Sequence, residues 1–471
     1  MRPIPFAVQA YKHDTLPLSA QDVVNCYAEA HPRGAKTPVS VHGFPGLAAF
    51  SEVGTGPVRG FFEQNGVLYA IANQEFYSIT SAGVATIRGT GITGYGVVSI
   101  DGNGTQVAVT NGTLGFIYTE SSAAFAQISD AQFNAAKTVT AIDSYFVFDW
   151  KDTNKFFNSD LSDGLSYAAL MFATAESKPD RVLAVKNLQG VLKILGEKTI
   201  ESWDSTGAGT PPFQRFDGAT VARGIAAPLA VCEEDNAGWL LGNDLIFYRL
   251  SGISPVRIST HAIEKTWAGY ATTNDAFCFV VIYGGHKFVY VTFPTENSSW
   301  GFDIATGLWH RRVSWDPTGV EVRWRANCAI QVFGKMLIGD ANTGKIVAID
   351  PDVHTEFDDP VRFILTSVPI FDPGGRRLFM GTFEVDLEAG VGIATGQGSD
   401  PQIMLDWSDD GGKTWSAPQL WRSMGKIGEY SVRVQWDRLG SFYQRVLRLQ
   451  ISDPVKRTFI AARADLEVGT A

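Results

Sequence analysis

The chain has 471 residues, 45% hydrophobic and 19% charged, a globular composition that excludes a disordered polymer. Its net charge of −10 argues against a free nucleic-acid binder, which gains affinity by neutralising phosphates. With 48 glycines, 30 phenylalanines, 14 tyrosines and 12 tryptophans and little helical periodicity, it reads as an all-β chain of aromatic strands and glycine turns.

The start, MRPIPFAVQAY, lacks the charged and apolar regions of a signal peptide, and no run of about 18 apolar residues marks a membrane helix. Residues 1–50 are broken by Pro3, Pro5, Pro17, Pro32, Pro38 and Pro45. The stretch 19–30 holds at most one short helix, with Ser19 as its cap. Two readings stand for this region: an extended arm lying on a neighbouring surface, or a strand that closes a ring.

Residues 51–355 carry seven hairpins, at 67–80, 106–119, 145–158, 191–204, 238–251, 279–293 and 335–350. Their starts are 39, 39, 46, 47, 41 and 56 residues apart. One hairpin cannot bury enough surface to stand alone, and copies at a near-fixed period are the pattern of β-propeller blades. The expected fold is a propeller of seven blades. A further strand precedes each hairpin, at 58–64, 96–102, 138–144, 181–187, 225–235, 269–277 and 325–334. WGFDIATGLWHRR (300–312) adds an outer hairpin and accounts for the long last interval.

Residues 351–360 are acidic. Asp350, Asp352, Glu356, Asp358 and Asp359 lack the ligand spacing of a calcium loop and read as a solvated linker. From 356 to 471 the period disappears and alternating strands predict a separate antiparallel sandwich. Eight basic residues lie between 421 and 457: Arg422, Lys426, Arg433, Arg438, Arg445, Arg448, Lys456 and Arg457. They read either as a patch for an acidic partner or as the solvent side of amphipathic strands, and the alternation favours the second.

Ser408, Asp410, Gly412 and Trp415 fit the Asp-box pattern S-x-D-x-G-x-x-W. Asp410 would accept turn amides, Gly412 would take a positive φ, and Trp415 would pack under the turn. Such boxes recur in sialidase-like glycosidases, so a glycan-binding or glycan-cleaving propeller is the alternative reading. The box is a structural turn there too, and here it occurs once, outside the repeats. No sequence pattern selects a catalytic acid pair, and the histidines lack metal-hydrolase spacing. Cys26, Cys232, Cys278 and Cys328 are scattered and form no zinc pattern; they read as reduced thiols of a chain made in reducing cytoplasm. The expectation is no catalytic residue, no cofactor and no metal.

Residues 406–454, 175–208, 222–248, 261–270, 44–50 and 58–71 together resemble the packaged-DNA stabilisation proteins of short-tailed phages, their tail accessory factors or tail hubs. The resemblance covers nearly the whole chain and carries no catalytic motif. It implies a structural virion protein in the tail, assembled in the host cytoplasm, in several copies around a sixfold axis. Its implied partners are the portal–adaptor assembly, tail needle, tail spikes or fibres, and neighbouring copies. Packaged DNA would pass nearby without sequence-specific binding, and no membrane is involved. An acidic surface would repel phosphates and let DNA slide.

Overall fold

The structure is a computed structural model and describes residues 1–175, 178 and 180–469. Glu176, Ser177 and Pro179 of the 175–208 segment, and Thr470 and Ala471 of the C-terminal domain, lie outside the described residues.

The predicted hairpins form where apolar runs meet turn residues able to adopt positive φ. Asn65 and Gly66 turn the chain between Val58–Gln64 and Val67–Ala72, and Gln189 and Gly190 do so between Val182–Leu188 and Val191–Gly196. Six separate four-stranded antiparallel sheets result, spanning 58–90, 99–127, 139–174, 182–215 and 231–257, with the last formed by 326–350 and Gly46–Glu52. A further quartet, 277–311, stands between the fifth and the last and continues into a ten-stranded sheet. The inner strand Val58–Gln64 packs against both Ser99–Gly102 and Ala326–Val332, which brings the two ends of the array together. Clusters such as Val58, Leu68, Ile79, Cys328 and Leu337 fill the space between neighbouring sheets. The toroidal all-β propeller expected from the repeat is present.

The sixth hairpin departs from its expected surroundings. Residues 269–277 do not make a preceding strand; Phe277 merely begins Phe277–Tyr283. Before them lies the one α-helix among the described residues, His261–Ala268. Ile263 and Trp267, four apart and therefore on one helix face, are both buried. Asp275 is taken up instead by the 294–297 turn, where it accepts from Thr295 N at 2.9 Å.

Of the two readings of residues 1–50, the strand that closes the ring is seen at 46–52. Gly46–Glu52 pairs with Lys345–Asp350 and completes the last blade, so the propeller's strands begin at 46. Gly344 permits the closure: a Cβ there would lie 1.9 Å from Val53 O. Most strands before 44 join the C-terminal domain, while Ala10 packs on the propeller and donates to Trp309 O at 2.7 Å. Val23–Val24 is inserted between Leu308–Arg311 of the propeller and Phe363–Thr366, splicing the two into one sheet. Cys26–Ala30 and Val39–Gly43 join Thr458–Val468, and Arg2–Pro3 pairs with that same strand. No helix forms over 19–30 because Asn25 adopts φ 54° and its side chain bonds Val313 and Arg362 backbone across the seam.

The C-terminal strands form as read, at Phe363–Thr366, Leu378–Leu387, Gln402–Ser408, Val434–Asp437, Gln444–Ile451 and Thr458–Val468. Two sheets face each other over Phe383, Leu405, Trp436, Leu447 and Leu449, all essentially without solvent contact.

Candidate functional site

A central cavity, a seam between the two domains and one tight turn hold the notable polar contacts among the described residues. The propeller's inner strands surround a cavity of about 490 Å³. Phe61, Ile100, Val280, Ile282 and Ile330 line it beside the polar Ser99, Lys186, Glu233, Glu234, Asn327 and Gln331. That volume lies in the range of small-molecule pockets and is far too small for a duplex whose major groove alone is about 12 Å wide. Cys232, Cys278 and Cys328 also line this cavity, and burial pushes the Cys232 thiol up to about 12. Side chains stitch the inner strands together: Asn327 donates to Val58 O at 3.0 Å, and Asp101 accepts from Thr140 Oγ1 and Ala141 N at 3.0 and 2.9 Å.

Charge is divided sharply between the two parts. From 46 to 362 there are 23 Lys and Arg against 33 Asp and Glu; outside that range there are 16 of each. The whole excess of −10 therefore sits on the propeller. The basic run at 421–457 does not form a patch. Arg445 is buried with Asp409 at 2.6 Å, Arg448 holds Asp406 at 2.9 Å, and Arg433 and Lys456 pair with Glu384 and Glu388. Arg457 is buried too and donates to Phe44 O at 2.7 Å.

The acidic linker also changes character. Glu356 is buried, accepting from Arg312 Nη2 at 2.8 Å and from Trp324 Nε1, so it is not part of a solvated linker. The Arg312 guanidinium lies between the Phe44 and Trp324 rings, 4.9 and 4.7 Å from their centroids. Nearby, burial pushes the His310 imidazole down to about 3. A cleft of about 430 Å³ opens beside this seam, lined by Trp315, Arg362, Met404, Gln419 and Gln450 among others.

Ser408, Asp410, Gly412 and Trp415 do come together. Ser408 Oγ donates to Asp410 Oδ1 at 2.6 Å and accepts from Gly412 N at 2.7 Å. Asp410 also accepts from Lys413 N and Thr414 N, each at 2.9 Å. The Ser408 and Thr414 hydroxyls, with the turn amides, hold its carboxyl well below the usual range. Gly412 has φ +99°, and Ala20 of the N-terminal segment packs against it. Trp415 is half-buried rather than enclosed: the Arg448 guanidinium covers its ring at 3.9 Å, and a pocket of about 270 Å³ opens beside it.

Sequence reasoning missed Arg59, a buried residue of the inner strand Val58–Gln64 whose guanidinium bonds only backbone carbonyls, four of them. An arginine directly after Val58, in the strand that precedes the first hairpin, was the available signal.

Comparison with solved structures returns β-structured neighbours of low identity. The extracellular domain of a putative hybrid two component system from B. thetaiotaomicron has 7% identity and a TM-score of 0.44, over 66% of this chain and 40% of that one. YCF48 from Cyanidioschyzon merolae has 11% identity and a TM-score of 0.41, over 65% of this chain and 99% of that one. The Myceliophteria thermophila Cps50 (Swd1) β-propeller domain has 8% identity and a TM-score of 0.42, over 64% and 99%. The chain thus spans less than half the length of the first of these. The comparison with curated protein sequences finds no match. Two family models match in succession: "Bacteriophage P22 Gp10, beta-propeller" over residues 4–354 and "Bacteriophage P22 Gp10, beta-sandwich" over 364–467. Propeller and sandwich, in this order and over nearly all the residues, place the chain in the bacteriophage P22 Gp10 family of structural tail-hub proteins that stabilise packaged DNA.

Proposed function

We propose that this virion protein attaches below the portal–adaptor assembly as one of several copies in a sixfold ring. There it seals the packaged genome and holds the tail needle and the spikes or fibres. Assembly takes place in the host cytoplasm. The observation that carries this reading is the family match across both domains.

The placement of charge supports the manner of action. Each propeller's own cavity is too small for DNA, so the genome's path runs between copies. Acidic propellers around that path repel phosphates, which keeps DNA from adhering as it leaves. The neutral sandwich, spliced to the propeller through Val23–Val24, supplies a second body for other neighbours. Ser408, Asp410, Gly412 and Trp415 act as a structural clamp between the sandwich turn and the N-terminal segment, with no part in chemistry.

The test compares virions assembled with and without this chain. Loss of packaged DNA from full capsids in its absence, and density for it below the portal in its presence, is the expected result. Equal genome retention with no such density overturns the reading and returns the glycan-directed alternative.

A further inference from the structure

At one end of the blades spanning 58–90 and 99–127, four connections lie side by side: residues 53–57, 73–74, 91–98 and 111–114. They are joined into one surface. Asn73 N donates to Pro57 O at 2.9 Å, and Gly91 N and Ile92 N donate to Gln74 O at 3.0 and 3.1 Å. Asn111 Nδ2 reaches Thr93 O and Thr93 Oγ1 at 3.1 and 3.0 Å. Beneath them the buried Arg59 donates to Asn73 O, Ile92 O, Gly96 O and Thr93 O, at 2.7, 2.7, 2.7 and 3.1 Å. A long connection is thereby held in one conformation from below, and Tyr95 stands at its tip, 65% exposed.

Two properties of this surface bear on what it can bind. Its four connections carry no charged side chain, although the propeller as a whole has ten more acidic than basic residues. Its exposed residues are Gly, Thr and one Tyr, flanked by half-buried Asn73, Gln74 and Asn111, a mixture that protein-binding loops use: a rigid aromatic anchor among small, adaptable hydrogen-bonding groups. Pre-ordering by Arg59 removes much of the entropy cost that a free loop would meet on binding.

We propose that the Tyr95 face is the surface by which the propeller seats on the DNA-filled particle that receives it, against an uncharged protein surface with a socket for the phenol ring. This rests on the tail-hub reading. The net acidic charge of the propeller is repelled by a particle packed with phosphates; a surface without charged side chains is not, which favours it for close contact. Aromatic anchors on rigid supports carry a large share of binding energy in such contacts.

The experiment uses the full chain and DNA-filled capsids that carry portal and adaptor but lack this protein, with binding measured between 0.05 and roughly 0.5 M salt. Tyr95→Ala is expected to weaken binding at least about tenfold while leaving the melting temperature unchanged, because the ring is exposed. Wild-type binding is expected to change less than about threefold across the salt series. Arg59→Lys, which keeps the charge but cannot reach all four carbonyls, is expected to weaken binding through loop disorder, seen as faster proteolysis within 91–98. Undiminished binding by Tyr95→Ala, or a steep salt dependence, overturns the proposal. So does loss of binding after nuclease treatment, which assigns the face to nucleic acid. Failure of the wild-type chain to bind at all is a different outcome: it removes the tail-hub reading and this inference with it.

Discussion

Arg312 donates to Glu356 at 2.8 Å inside the seam between the propeller and the sandwich, and neither side chain has appreciable access to solvent. Removing one partner strands the other's charge in a low-dielectric interior. Glu356→Leu should therefore lower stability by about 3–5 kcal/mol, and the double change Arg312→Met with Glu356→Leu should recover most of it. Denaturant unfolding of the three variants checks this.

Glu384 is gripped by Arg433 and Arg463 at 2.7 and 2.6 Å, and these hydrogen bonds hold its carboxyl down at about 2, below its ordinary value of 4.5. A carboxyl lowered in the folded state contributes its full stability above the unfolded value. That contribution fades as pH falls from 4.5 towards 2. Thermal unfolding across this window should show a steeper acid loss in the wild type than in Glu384→Gln.

The half-buried state of Trp415 sets the size of its effect. Part of its ring is open and part is covered by Arg448. Trp415→Ala should cost about 1–2 kcal/mol, less than the roughly 3 kcal/mol or more expected of a fully enclosed tryptophan. A thermal melt measures it. Asp410→Ala should destabilise the same turn by releasing the Lys413 and Thr414 amides.

Ring closure depends on the approach of Gly344 to Val53, whose N donates to Gly344 O at 2.8 Å. Gly344→Val should push the closing strand away and expose residues 53–57 to protease. Limited proteolysis followed by mass spectrometry should find the first cuts there, with the wild type resistant.

What was legible in the sequence follows from how local each signal is. Hairpins such as Val191–Gly196 with Ile200–Ser205 carry strands and turn within fifteen residues, so alternation and turn residues are enough to find them. The sandwich strands were readable for the same reason. The fate of residues 1–43 was not, because Arg2 pairs with Ala464 and Val24 with Arg311 and Ile364, partners hundreds of residues away. Charged residues misled in the opposite direction. Glu356 and Arg445 look solvent-bound in a linear reading and are buried because Arg312 and Asp409 meet them in space. The Asp-box was visible as a pattern, while the Arg448 cover over Trp415 comes from a strand 33 residues further on.

The pairing of Arg2–Pro3 and Gly46–Glu52 with strands near the other end of the chain also sets an order of events during synthesis. The segment made first cannot complete its sheets until residues 335–350 and 458–468 have left the ribosome, roughly 20 to 80 seconds later at ordinary elongation rates. The closing strand lacks its partner until residue 350 is made, and the splice until 366. A chain released before residue 335 lacks both the lock of the propeller and the strand that anchors its own beginning. A chain released between 366 and 458 has the closed propeller but not the strand Thr458–Val468 against which its own beginning pairs, so the two bodies of the fold are completed one after the other.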